Sequence, residues 1–441
     1  MPEIRPFRAL RFEPDVVGDL AAVVSPPYDV ISPALQRELV ARHPKNVVRL
    51  DLPPDELGDG PDERYRRAAR TFAAWRSDGS FRKDPRPSLY VYEQTYRVPG
   101  TTMERTQRGF FGRLRLETFG PGSGVLPHER TLSGPKEDRY RLLRATGANF
   151  SPVIGIYADA SGSSARRLAD IAGGSPAIDL MDDDAVRHRL WVVPVDGSPD
   201  GPVATLTAAA GAAPITIADG HHRYETALRY RDERRASRSG EEDPAFDYIL
   251  MLFLETTAEP LTVLPTHRVI RGLGEDGSSS LWANLGELFS VRRVEAAAEL
   301  EAAFGPAGLA AGGAGRFGLW TRVGGAIIEA RRAAFEPWLP RGGEALRRLD
   351  VTLLQVALDR LCGIDPAATA AGGRVAYTKS PTEALAWVDA AEDGADAAFL
   401  LEPTPVAEIA AVAAAGDVMP QKSTYFYPKP VTGLVINPHE W

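Results

Sequence analysis

The stretch Ile217-Ala-Asp-Gly-His-His-Arg-Tyr-Glu225 decides how this 441-residue chain is read. The apolar run Ala213-Pro-Ile-Thr-Ile-Ala218 enters it with strand character, and Tyr224-Glu-Thr-Ala-Leu-Arg-Tyr-Arg-Asp-Glu-Arg234 leaves it with a helical pattern. Between them Gly220 lets the chain turn sharply. The helix start offers unpaired backbone N–H groups and a positive dipole end. Strand, glycine turn and helix start together describe an anion site, most often one for phosphate. Asp219 is a candidate metal ligand, and His221, His222 and Arg223 are candidate contacts to phosphate oxygens. The competing reading is an N-cap by Asp219 followed by two solvated histidines. Zinc fits less well, because adjacent histidines point to different faces and no HExxH or cysteine ligands support them.

Outward from this stretch, four further clusters stand out. Leu126-Pro-His-Glu-Arg-Thr131 and Pro135-Lys-Glu-Asp-Arg-Tyr140 gather His128, Glu129, Arg130, Lys136, Asp138 and Arg139. Arginine and lysine suit phosphate or carboxylate, and glutamate suits proton abstraction or metal. The alternative is a solvated loop and a helix start with charge pairs three residues apart. Ser25-Pro-Pro-Tyr-Asp-Val-Ile-Ser32 is stiffened by its prolines. It either holds Tyr28 and Asp29 toward a ligand or forms a rigid turn capped by Asp29. In Leu264-Pro-Thr-His-Arg268, His267 and Arg268 face either a cleft or solvent. The segment Met419-Pro-Gln-Lys-Ser-Thr-Tyr-Phe-Tyr-Pro-Lys-Pro-Val-Thr-Gly433 carries aromatics able to dock on a core. Lys422 and Lys429 are then either surface charges or lysines brought to a phosphate by a closing segment.

The length points to two or three domains. The reading divides the chain into an N-terminal α/β portion (1–120), a part rich in polar clusters (121–270), a smaller α+β portion (271–360) and a C-terminal β-α-β-α portion with the aromatic tail (361–441). Short strands are expected at 21–24 and 47–50, a helix at 61–75, and paired strands at 89–98 and 107–116. The fold class is α+β, or mixed α/β. The net charge of −8 argues against nucleic acid as a partner. No apolar run is long enough for a membrane span, and no signal core opens the chain, so a cytoplasmic enzyme or binding protein is expected. The lone Cys362 lies in an apolar helical run and reads as core filler. Walker-type and GxSxG patterns do not occur.

The motifs in order resemble one bacterial and archaeal family, the domain of unknown function 1015. The matching pieces are Arg5-Pro-Phe7, 26–32, 126–131, Ala148-Asn-Phe-Ser-Pro152, 218–225, 264–268 and 419–429. The family resembles a distant member of the ParB/sulfiredoxin-like superfamily, whose free-serine kinases carry a DGHHR motif similar to Asp219–Arg223. The resemblance implies a nucleotide-binding core with additional N- and C-terminal α/β portions. It also implies ATP- or ADP-dependent phosphoryl transfer to a small hydroxyl metabolite, with free L-serine favoured. By that analogy 219–223 cradles phosphates and Asp219 holds Mg²⁺, with His222 taking part in catalysis. Arg130, Lys136, Arg139, Lys422 and Lys429 neutralise charge, Glu129 or Asp29 is the base, and Tyr28, His267 and Arg268 meet the acceptor. The alternative is a ParB-like nucleotide-binding switch or slow nucleotide hydrolase without an acceptor. Oligomeric state stays open.

Overall fold

In a computed structural model, residues 1–129, 131, 133–237, 242–305, 315–390 and 394–441 are described. The chain is mixed α/β and is organised by two large sheets. The first contains β1 (Ile4–Arg5), β2 (Ser88–Arg97), β3 (Glu104–Arg115), β4 (Val125–Leu126), β5 (Val153–Tyr157), β6 (Ile178–Met181), β7 (Arg187–Pro194), β8 (Ile215–Asp219) and β9 (Tyr248–Glu255). Its order is β4-β8-β5-β9-β3-β2-β7-β6, with β1 also on β3. Every residue of β9 is buried. That explains its unbroken apolar run, Tyr-Ile-Leu-Met-Leu-Phe-Leu, since a strand covered on both faces needs no polar alternation. The sheet draws strands from both sides of residue 120.

The second sheet contains β10 (His267–Ile270), β11 (Phe289–Val294), β12 (Arg316–Thr321), β13 (Gly324–Ala330), β14 (Val375–Thr378) and β15 (Ala397–Leu400). Its order is β11-β13-β12-β15-β10-β14, and every pairing is antiparallel. Among the helices, α1 (Glu63–Ser77) buries Tyr65, Ala68, Phe72 and Trp75, one stripe at helical spacing. Next come α2 (Ser133–Thr146) and α3 (His221–Ser237), which pack on each other. In α4 (Asp350–Cys362) nearly every residue is buried. Cys362 is one of its buried residues, and burial pushes its thiol up to about 12, an inert core group.

The hairpin β2/β3 and the helix α1 agree with the sequence reading. The expected strands at 21–24 and 47–50 do not form; the chain is helical at Leu20–Val23 and Val48–Asp51. Runs of four residues with three or four apolar members satisfy either period, and tertiary context decides between them. At the first, Asp19 accepts the Ala21 N–H and caps the turn.

After the second sheet the chain returns to the first. Leu264 donates its N–H to Tyr425 at 2.8 Å, Phe426–Tyr427 pairs with Thr262–Val263, Thr432 exchanges backbone bonds with Ser25, and Asn437–Pro438 pairs with Ala148–Asn149. The fully buried Arg113 anchors this run. It donates to Asn437 Oδ1 at 2.6 Å, to the Pro438 carbonyl at 2.7 Å and to the Glu440 carbonyl at 2.8 Å. Among the described residues no helix is long and apolar enough to cross a membrane.

Candidate functional site

The site begins with a register. β4 and β8 are parallel neighbours, with Leu126 opposite Thr216. Three residues further along each chain stand Glu129 and Asp219, so both carboxylates leave the same end of the sheet. Gly220 follows with φ +92, and the first turn of α3 starts at His221. A Cβ at 220 would lie 3.1 Å from the Arg223 guanidinium, in a backbone region that side chains rarely adopt. The helix start therefore opens onto a cavity of about 480 Å³.

Its wall brings together Tyr28, Asp29, Glu129, Asp219, Gly220, His221, His222, Arg223, Lys422 and Lys429 from four separate clusters. Tyr377 and Lys379 join them from the end of β14. The wall holds four cations, Arg223, Lys379, Lys422 and Lys429, against three carboxylates, Asp29, Glu129 and Asp219. In a chain of net charge −8 this is a local positive concentration.

Asp219 is a hub. Its Oδ1 accepts from Lys429 Nζ at 2.9 Å and its Oδ2 from Arg223 Nη2 at 2.6 Å. Burial would raise the Asp219 carboxyl, but Lys429 and Arg223 outweigh it and hold it well below the usual carboxylate range. Lys429 also donates to Asp29 Oδ2 at 2.6 Å. Against burial, the two aspartates hold its ammonium above the ordinary lysine value. With both oxygens engaged, Asp219 is not an open metal ligand. Among the described residues no group of three His, Cys, Asp or Glu is arranged to hold a metal. A Mg²⁺ at Asp219 would share its oxygens with Lys429 and Arg223.

The two adjacent histidines differ. His221 is buried and its Nε2 accepts the His128 N–H at 3.2 Å, so that nitrogen carries no proton. Burial keeps the ring well below the ordinary histidine value. His128 donates Nδ1–H to the Ile217 carbonyl at 2.5 Å and meets Thr424 Oγ1 at 3.1 Å through Nε2. These rings lock the loop after β4 to β8 and to the returning segment. His222 is only half-buried, and burial lowers it less.

Glu129 is half-buried, and its Oε1 accepts the Lys422 N–H at 3.2 Å. Burial raises its carboxyl to about 6. Lys422 adopts φ +55, uncommon for a residue with a side chain. From the other side Arg268 holds that turn, donating Nη2–H to the Lys422 carbonyl at 3.2 Å. The ammoniums of Lys379 and Lys422 have no carboxylate within 4 Å among the described residues. Lys379 instead lies 4.3 Å from the Tyr425 ring centroid.

Other candidates stand off the wall. Arg139 is buried behind Tyr28, 4.1 Å from its ring, and is tied to Asp138 at 2.6 Å and to the Asp51 carbonyl. Lys136 pairs with Glu225 at 2.9 Å. Arg268 is buried, and burial lowers it to about 10. His267 is fully buried, accepts the Leu401 N–H through Nδ1 at 3.1 Å, and is pushed down to about 3 by burial. Their neighbour Thr266 reaches the wall. Arg130 lies outside the described residues. Lys379 escapes sequence reading because no motif surrounds it.

The chain belongs to the family described as protein of unknown function (DUF1015), whose profile matches residues 4–352. No protein of curated function matches it. Three solved structures align at a TM-score of 0.35. One is a free serine kinase in complex with AMP, 13% identical, covering 69% of this chain and 83% of that chain. A conserved hypothetical protein from Pyrococcus furiosus is 15% identical, covering 70% and 92%. SbnI with a C-terminal truncation, from Staphylococcus aureus, is 10% identical, covering 71% and 83%.

Proposed function

We propose that this chain is a nucleotide-dependent kinase that moves a phosphoryl group from ATP or ADP to the hydroxyl of a small metabolite. Free L-serine is the first acceptor to test. The observation that carries the reading is the pair Lys379 and Lys422, two ammoniums without an ion-pair partner among the described residues, on the wall of a helix-start cavity. Such cations and N–H groups suit an anion that arrives from solution. A space of about 480 Å³ suits a polyphosphate rather than a single small ion.

In this reading the acceptor oxygen attacks the terminal phosphorus. The new O–P bond forms as the bond to the bridging oxygen of the leaving nucleotide breaks. The hydroxyl proton passes to Glu129, whose carboxyl near 6 suits a base at neutral pH. Lys379, Lys422 and the first N–H groups of α3 neutralise the charge on the transferring group. Asp219 and Lys429 position the loop. A divalent ion would enter with the nucleotide, on phosphate oxygens and water.

The test is a screen of hydroxyl metabolites, L-serine first, with ATP and with ADP, read as phosphorylated product. Acceptor-dependent product supports the kinase. Nucleotide consumption that ignores every acceptor replaces it with a hydrolase or switch.

A further inference from the structure

A second cavity of about 480 Å³ adjoins the first, and Lys379 and Tyr425 belong to both walls. Its chemistry differs. Leu264, Pro265, Pro381, Pro403 and Tyr427 make most of its surface apolar. Its carboxylate, Glu402, already accepts from Arg316 Nη1 at 3.2 Å. Tyr427 is fixed edge-on against Tyr96, with ring centroids 5.4 Å apart.

We propose that this apolar lobe takes the nucleoside of the donor nucleotide, with the polyphosphate running past Lys379 to the helix start. The inference rests on the kinase reading and deepens it. Glu129, the candidate base, lines the polar cavity and not the apolar one. The acceptor hydroxyl must come within hydrogen-bond reach of that base, so acceptor and reacting phosphoryl share the polar cavity. The junction at Lys379 and Tyr425 joins that cavity to the apolar one and gives the non-reacting end of the donor a path. Beyond it lies a space whose size and apolar, aromatic wall match a planar base with its sugar. The Lys379 ammonium at the junction would then meet the polyphosphate where it leaves the polar cavity.

Thr382 is exposed on the wall of the apolar lobe, so Thr382→Trp fills it without disturbing a core position. Pro403→Trp fills it from a different segment, and melting curves check both folds. Calorimetry with tripolyphosphate, ATP and adenosine then reads the outcome. The expected result is ATP binding weakened about tenfold or more in either variant, with tripolyphosphate affinity unchanged. Wild-type protein that binds tripolyphosphate as tightly as ATP, with variants unchanged toward both, overturns the inference and leaves the phosphate site standing. Variants that raise only the KM of the acceptor assign the lobe to the acceptor and also overturn it. Wild-type protein that binds neither polyphosphate nor ATP removes the kinase reading itself.

Discussion

The ammonium of Lys429 stands 2.9 Å from Asp219 Oδ1, across 210 residues of sequence. With Asp29 on its other side, this lysine holds together a loop from the first turns of the chain and the helix-start loop.

Lys429→Met should destabilise the protein by about 3–5 kcal/mol, because it leaves poorly solvated carboxylates without their cation. The pH dependence follows from the two shifts. Asp219 is depressed, so its contribution is present above its unfolded value near 3.8 and fades as pH falls below it. Lys429 is raised, so its contribution is complete below 10.5 and fades as pH rises past it. The gap between wild type and variant in urea unfolding should be widest between these limits and narrow outside them. Equal midpoints at pH 7 would dismiss the pair as a stabilising contact.

Glu129→Gln should cost about 10²–10⁴-fold in turnover, with nucleotide affinity kept. In the wild type the base is active when ionised. Activity should therefore rise with pH through about 6, the value to which burial brings this carboxyl. An acid limb that persists in the variant would assign the proton to another group.

Lys379→Ala and Lys422→Ala should each change stability by no more than about 0.5 kcal/mol, since both side chains are exposed. Each should weaken transition-state stabilisation by about 1.5–3 kcal/mol, one charge-assisted hydrogen bond. Normal kinetics in the double variant would remove both from the site.

Arg113→Met keeps the side chain's length and removes its donors to Asn437, Pro438 and Glu440. The expected loss is about 1–3 kcal/mol for each acceptor left without a partner and without water. Hydrogen exchange should quicken first at the amides of Asn437, His439 and Glu440, in the run that Arg113 holds. Uniform quickening across both sheets would make Arg113 a general core residue instead.

The helix-start loop is legible in the sequence because strand, glycine and helix are contiguous, and local chemistry fixes each. The hairpin β2/β3 is legible for the same reason. Lys379 is not, since it enters the wall only because β14 pairs with β10, with His267 opposite Thr378. The same strands explain His267. A strand alternates its faces, so the Thr266 and Arg268 sides cannot be distinguished from the His267 side until the covering layers are known. Lys422 and Lys429 lie in one tail segment, and the sequence offers nothing to separate them. Only the fold shows Lys429 buried between two aspartates and Lys422 left at the surface.

The returning segment also sets an order on assembly. Synthesis runs from the N-terminus, so Asp29 and Asp219 exist on the growing chain before Lys429 is made. Contacts that span 400 residues close late, after the sheets have brought their ends near. Until then the helix-start loop has Arg223 as its inner counter-charge and lacks the wall formed by Gln421, Lys422 and Tyr425. A chain that ends before residue 421 would therefore lack one side of the cavity wall and the Lys429 ammonium that joins Asp29 to Asp219.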